Sequence, residues 1–221
     1  MNRILVTYAT LSGSTAEVAE VIGQALRQGG AVVDVRPIRE APDLGAYQAV
    51  VVGGPMIMGW HREAVQFVAA RQRPLSQKPV AYFVTALSLT RSPEQSLDGI
   101  AICQDPALAK PPKYPGKLSF KENYATVKNY LAPALKQAPL VKPVSVGFFA
   151  GRLDFGKLDL LSRLFVQFVI GARPGDFRNW PGIQAWAAGL RPALAGQSRP
   201  AHRPSAAPGG QPAEGVAQSP A

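Results

Sequence analysis

At 221 residues the chain is long enough for one hydrophobic core and short for two, and its single cysteine, Cys103, excludes an intrachain disulfide and argues against a metal cluster. Lys and Arg outnumber Asp and Glu by 24 to 14, a formal net charge of +10, so an anionic partner is expected; with no nucleic-acid reader motif beside that charge, nucleic acid is disfavoured. The chain opens directly into an apolar strand pattern too short to be the core of a secretory signal, so a cytoplasmic domain is expected.

The first element carries the most information. Ile4, Leu5 and Val6 form a buried-strand run within Arg3–Tyr8, and Val18, Val21, Ile22, Ala25 and Leu26 repeat at helical spacing. Between them lies the loop Thr10, Leu11, Ser12, Gly13, Ser14, Thr15, with four hydroxyls around one glycine. A strand feeding a helix through such a loop aims backbone N–H groups and the positive helix end at one spot, which suits an anion. A nucleoside-triphosphate loop needs a Lys after its last Gly, where this chain has Ser14, and a dinucleotide fingerprint needs three spaced glycines. A phospho-acceptor domain would end its first strand in an acid, whereas this strand ends Thr7-Tyr8-Ala9. What remains is a monophosphate held by hydroxyls and amides, or a plain turn with Ser14 as helix cap.

Further along, Val32–Pro37 reads as a second strand and the AVVVG run Ala49–Gly53 as a third, buried on both faces. Glu63–Arg71 follows as a helix, Val80–Thr85 as a fourth strand, and a Lys/Pro-rich stretch near 104–121 leads to a helix near Phe120–Leu131. Val144–Ala150 reads as the fifth strand and Gly182–Leu190 as the last helix. Strands alternating with helices imply right-handed crossovers, hence an α/β, doubly wound, five-stranded parallel sheet with its ligand at the carboxyl ends of the strands. The loop after the third strand, Met56, Ile57, Met58, Gly59, Trp60, His61, offers soft and flat apolar contacts for a ring, and Thr85, Ala86, Leu87, Ser88 after the fourth lies at the same edge. Against this, Trp60 is equally readable as packing and Thr85 or Ser88 as turn hydroxyls. His61 is a candidate acid/base or a helix cap, and Cys103 a packing residue.

Between the fifth strand and the last helix stands an apolar insert of about 151–179, with a helix expected over Lys157–Gly171. Leu158, Leu161, Leu164, Phe165 and Phe168 share one face, while Leu160, Val166 and Ile170 fall outside it. Interrupted by Asp159, Arg163 and Gln167, it is short of the roughly 20 residues that span a bilayer, which suits an in-plane membrane helix, a partner surface or core packing. The expected domain is 1–195, followed by a Pro/Gly/Ala-rich, disordered tail over 196–221. Without the tail's Arg199, Arg203 and Glu214 the domain keeps +9 of the +10. Lys110, Lys113, Lys117, Lys121 and Lys128 cluster before and on one helix, facing anionic lipid, substrate carboxylates or solvent.

The loop Thr10–Thr15 resembles the phosphate loop of flavodoxins, which hold flavin mononucleotide (FMN) in this way. Together with Gly59-Trp60-His61, Gly151-Arg152-Leu153 and the apolar insert, it resembles the flavodoxin-like, quinone-dependent protoporphyrinogen oxidases over roughly 1–194. That resemblance implies FMN as cofactor, oxidation of protoporphyrinogen to protoporphyrin, a membrane quinone as acceptor and a peripheral position on the inner face of the membrane. It makes Arg152 a candidate contact for a substrate carboxylate, beside the solvated-turn alternative. The 104–121 stretch and the tail depart from the pattern. An FMN electron-transfer module without substrate chemistry of its own is the other reading.

Overall fold

The computed structural model describes residues 2–56, 59–114, 116–153 and 174–196. In chain order the elements are β1 (Arg3–Tyr8), α1 (Ser14–Arg27), β2 (Val32–Pro37), β3 (Ala49–Pro55), α2 (Arg62–Ala70), α3 (Gln72–Ser76) and β4 (Val80–Ala86). Then come β5 (Leu89–Thr90), β6 (Ser96–Leu97), β7 (Ile100–Gln104), β8 (Ala109–Lys110), α4 (Phe120–Tyr124) and α5 (Val127–Gln137). The chain continues through β9 (Ser145–Ala150), β10 (Arg152–Leu153), β11 (Gly175–Asp176), α6 (Trp180–Gly189) and α7 (Arg191–Leu194).

The main sheet runs β2-β1-β3-β4-β9-β7-β6 and is parallel except for the β6–β7 pair. Period-two alternation assigns its side chains to two layers. Ile4, Val6, Val51, Ala81 and Phe83 pack with Val18, Ile22 and Leu26 of α1 and Ile183 and Trp186 of α6. Leu5, Val50, Val52, Tyr82 and Phe148 pack on the other face with Phe67 and Val68 of α2 and Leu131 of α5. Both faces are therefore covered, as a parallel sheet requires.

The expected five strands are present in the doubly wound order, and the expected sheet is extended by two. β7 pairs parallel with β9, so the fifth expected strand, SVGFFA, is interior to the sheet and buried along its whole length. An apolar strand bare on one side would expose a row of unpaired backbone groups, and Ile100–Gln104 covers it. The helix expected over Phe120–Leu131 is two helices: Thr126 interrupts it and caps α5 by accepting from the Asn129 N–H. The Lys157–Gly171 helix and the tail beyond 196 lie outside the described residues. No described helix is long and apolar enough to cross a membrane.

From β1 the chain passes to β2 on one side and β3 on the other, so the winding reverses between β1 and β3. The loops after these strands diverge there, α1 to one face and α2 to the other, opening a crevice at the carboxyl edge.

Candidate functional site

α1 begins at that crevice in an unusual way. Its N-cap is Gly13, with φ 88°, and no side chain accepts from its first turn. The short α3 and α7 also start without a side-chain acceptor, whereas His61, Ser119, Thr126 and Asn179 supply one at the starts of α2, α4, α5 and α6. A helix's first N–H groups have no carbonyl of their own to bond. At α1 the Ala16 and Glu17 N–H groups are taken by the Gly13 carbonyl, at 3.1 and 3.3 Å. The Thr10 hydroxyl accepts from the Gly13 N–H at 3.0 Å, which folds the loop back over the helix start. A residue with a Cβ would be strained at Gly13's left-handed conformation, although the space around it is open.

Ser14 and Thr15 are buried, and the Thr15 hydroxyl lies 3.0 Å from that of Thr85 at the end of β4. Sequence spacing alone did not pair these residues, yet both had been singled out. The contact ties the first-turn loop to the fourth-strand loop. Around it, the Met56 N–H donates to the Thr85 carbonyl at 2.8 Å, Gly151 N–H to Ala86 carbonyl at 2.9 Å, and Ala9 N–H to Gly53 carbonyl at 2.9 Å. The loops after β1, β3, β4 and β9 are thus laced into one rim. Leu11 stands out from it, 64% exposed, while Ser12 is half-buried and Ser88 exposed.

The β3–α2 loop has a different character. Trp60 is only 6% exposed and belongs to the core, its ring centroid 5.0 Å from that of Tyr82. Gly54 makes room for it: a Cβ there would stand 3.1 Å from the indole nitrogen. Gly53 likewise leaves its space to the Phe83 ring, so these glycines serve packing. Met56 is also buried and bridges to Trp60. His61 accepts the Glu63 N–H at 3.3 Å through Nδ1, which is the capping use of this residue. Ile57 and Met58 lie outside the described residues. Ala86 is buried and Leu87 half-buried, leaving the Ser88 end of the β4 loop open.

Arg152 is placed at the rim, in β10, but is engaged: its guanidinium pairs with Glu17 of α1 at 3.1 Å. The other oxygen of Glu17 holds Arg178 at 2.8 Å. Arg178 is the residue that sequence reasoning missed. Its side chain is 3% exposed, paired with Asp176 and stacked 4.3 Å over the Trp180 ring. Hydrogen bonding from Arg178 holds the Asp176 carboxyl below its usual range. Two of its partners, Asp176 and Trp180, are two residues away in sequence; only Glu17 of α1 is brought to it by the fold. The β10–β11 pair, Arg152 opposite Asp176 and Leu153 opposite Gly175, closes the base of the insert. Both ends of the insert are thereby fastened to the first turn of α1.

Asp105, at the end of β7, is a second residue not anticipated. It is 2% exposed, and its carboxylate accepts from the Ala107 N–H, the Ala150 N–H and the Asn179 amide. It joins β7 to β9 and to the start of α6. Burial and Asp105 together raise the Cys103 thiol above its usual range, in keeping with a packing role.

The donors of the Thr10–Thr15 loop itself are amides and hydroxyls, and the buried Arg178 guanidinium reaches the Ser14 carbonyl at 3.5 Å, chemistry that suits a phosphate monoester. Residues 5–178 match the family model described as "Flavodoxin domain". The chain belongs to the flavodoxin domain family. Its cofactor is FMN, and Thr10–Thr15 with the uncapped turn fit the phosphate. Among solved structures, the chain is similar to an archaeal flavodoxin at 12% identity, covering 87% of this chain and 99% of that one, with a TM-score of 0.48. It is similar to rubredoxin:oxygen oxidoreductase of Desulfovibrio gigas at 14% identity and TM-score 0.46, covering 89% of this chain. The match spans 37% of that longer protein's length. A flavodiiron protein of Giardia intestinalis gives 10% identity, 89% of this chain, 37% of that chain and a TM-score of 0.46. No curated protein sequence matches.

Proposed function

We propose that this flavodoxin-like protein is an FMN-dependent oxidoreductase that oxidises protoporphyrinogen to protoporphyrin, passes the electrons to a membrane quinone, and sits on the inner face of an anionic membrane through 157–171. The observation that carries this reading is a meeting at the first turn of α1. The loop suited to the FMN phosphate and both ends of the apolar insert are joined there by the Arg152–Glu17–Arg178 contacts. A porphyrinogen is an apolar macrocycle bearing carboxylates and a quinone resides in lipid, so both call for apolar surface next to the cofactor.

Bound FMN supplies a ring that takes up one or two electrons reversibly. The chain's part is to hold and orient. Thr10, Ser12, Ser14 and Thr15 with the first-turn amides would bind the phosphate, and the 56–60 and 85–88 loops would border the ring. Trp60 backs that position from within the core. Arg152 contacts a substrate carboxylate, with Arg178 remaining to neutralise Glu17. His61 is given no proton-transfer step, since its Nδ1 is engaged with α2.

One observation favours an FMN electron-transfer module instead. Across the Ala9–Ala16, Pro55–His61 and Thr85–Thr90 loops, His61 is the sole titratable side chain. The deciding experiment supplies FMN-loaded protein with lipid and ubiquinone or menaquinone and follows porphyrin fluorescence. Acceleration over autoxidation, with a raised KM and unchanged FMN content in Arg152→Ala, is the expected result. A rate no higher than autoxidation leaves the electron-transfer module. For the insert, Leu164→Ser with Phe168→Ser releases the protein from anionic vesicles without loss of flavin.

A further inference from the structure

We propose that residues 110–114 and 116–124 form a second lipid-docking surface, which sets the flavin-binding edge of the domain against an anionic bilayer. Isolated exposed hydrophobics are ordinary on a protein surface, whereas a cluster calls for a partner. Of the eight large hydrophobics exposed among the described residues, Tyr114, Leu118, Phe120 and Tyr124 fall within this one stretch. Phe120 is 86% exposed and Tyr114 60%.

Charge selects the partner. Lys110, Lys113, Lys117 and Lys121 are exposed and interleave with these side chains. The one acid of the stretch, Glu122, is committed to the loop itself: its carboxylate accepts from the Lys113 N–H at 2.6 Å, the Ser119 N–H at 2.8 Å and the Ser119 hydroxyl at 2.7 Å. Aromatic rings among cations of a single sign match the boundary between acyl chains and anionic headgroups. Beside the stretch, Leu118 lines a hollow of about 250 Å³ with Leu97, Ile102 and Val127, to which Arg91 and Lys128 add two more cations and Glu94 one acid.

The stretch is held in place. Tyr114 and Lys117 face each other across a turn in which Gly116 takes φ 78°, and Ser119 and Glu122 form a capping box on α4. The Thr90 N–H donates to the Ala125 carbonyl at 2.7 Å and its hydroxyl to the Glu122 carbonyl at 2.6 Å. An aromatic fixed outward by such bonds loses little conformational freedom on entering an interface. Topology sets the direction. β5 follows directly from the carboxyl end of β4, and β8, which follows β7, pairs with β5, so the stretch hangs from the same sheet edge as the FMN loops and the base of the insert. This inference takes the membrane-facing side of the proposed function and is independent of the substrate.

The test is cosedimentation of the FMN-loaded full chain with phosphatidylcholine vesicles, with and without phosphatidylglycerol. The expected result is binding only to the anionic vesicles. Tyr114→Ser with Phe120→Ser should weaken it by about fivefold or more, and Lys113→Glu with Lys117→Glu by about tenfold with a shallower salt dependence, flavin absorbance unchanged. Phe120→Trp gives a second readout, a blue shift in emission and quenching by brominated lipid. Variants that bind as tightly as the parent overturn the proposal, and if Leu164→Ser with Phe168→Ser alone abolishes binding, the insert is the sole contact. A parent chain that ignores anionic vesicles also overturns it, and an acidic protein surface then becomes the occupant. Porphyrinogen turnover enters none of these readouts.

Discussion

Two strand-to-helix loops leave the same sheet edge on either side of the reversal in winding, and they are built in opposite ways. The β3–α2 loop caps its own helix and packs inward: His61 caps α2, Trp60 turns inward onto Tyr82, and Gly53 and Gly54 yield their space to Phe83 and Trp60. The β1–α1 loop gives its helix no side-chain cap: Gly13 brings no side chain, and the Thr10 hydroxyl is turned to the Gly13 N–H. Position at the carboxyl edge of the sheet is common to both. What distinguishes the start of α1 is the missing side-chain cap, whose place a ligand oxygen can take.

Removing donors from the open loop should have the largest effect. Ser12→Ala with Thr15→Ala removes two charge-assisted bonds of roughly 1.5–3 kcal/mol each, so FMN affinity should fall at least tenfold by fluorescence quenching. Since Thr15 also contacts Thr85 at 3.0 Å, a double-mutant cycle with Thr85→Ala separates phosphate binding from the rim contact. Retained affinity would mean that the amides alone hold the phosphate.

The inward-packed β3–α2 loop should answer in stability instead. A Cβ at Gly53 would stand 1.9 Å from the Phe83 ring, so Gly53→Ala should cost about 2–3 kcal/mol in urea unfolding while FMN stoichiometry holds. The reverse pattern, stable protein without flavin, would make this glycine part of the ring site. His61→Ala should cost about 1 kcal/mol, the usual loss of a cap, with FMN affinity unchanged. Lost turnover at full stability would instead restore His61 as an acid/base candidate.

The smallest effect is expected from two paired carboxyls, Asp176 of β11 and Asp34 of β2. The Asp176 carboxyl is held low by its hydrogen bond from Arg178, and Asp34 chiefly by the Tyr47 hydroxyl and then by Arg3. A carboxyl with a depressed folded pKa contributes stability that is present above its unfolded value, about 4, and lost as pH falls through the lower folded value. The urea midpoint should therefore be flat from neutral pH to about 5 and decline below about 4. Asp176→Asn should make that decline shallower. An unchanged acid limb would remove Asp176 from the account.

The legible part of the fold was local. β1, α1, β3, α2, β4, β9 and α6 all stand within a few residues of their expected positions, since each repeats apolar residues with the period of its own element. The Thr10–Thr15 loop was legible for the same reason: hydroxyls, one glycine and a following helix are neighbours in sequence. Ile100–Gln104 was not, since four apolar residues and a glutamine beside a Lys/Pro-rich stretch become a strand only when β9 offers an unpaired edge. Tertiary structure alone decided that Trp60 faces the core, that Asp105 joins β7, β9 and α6, and that Glu17 draws together Arg152 and Arg178 from the two ends of the insert. Each of those contacts joins residues far apart in sequence, and periodicity reports only on what a residue's near neighbours can bury, never on which distant group will meet it.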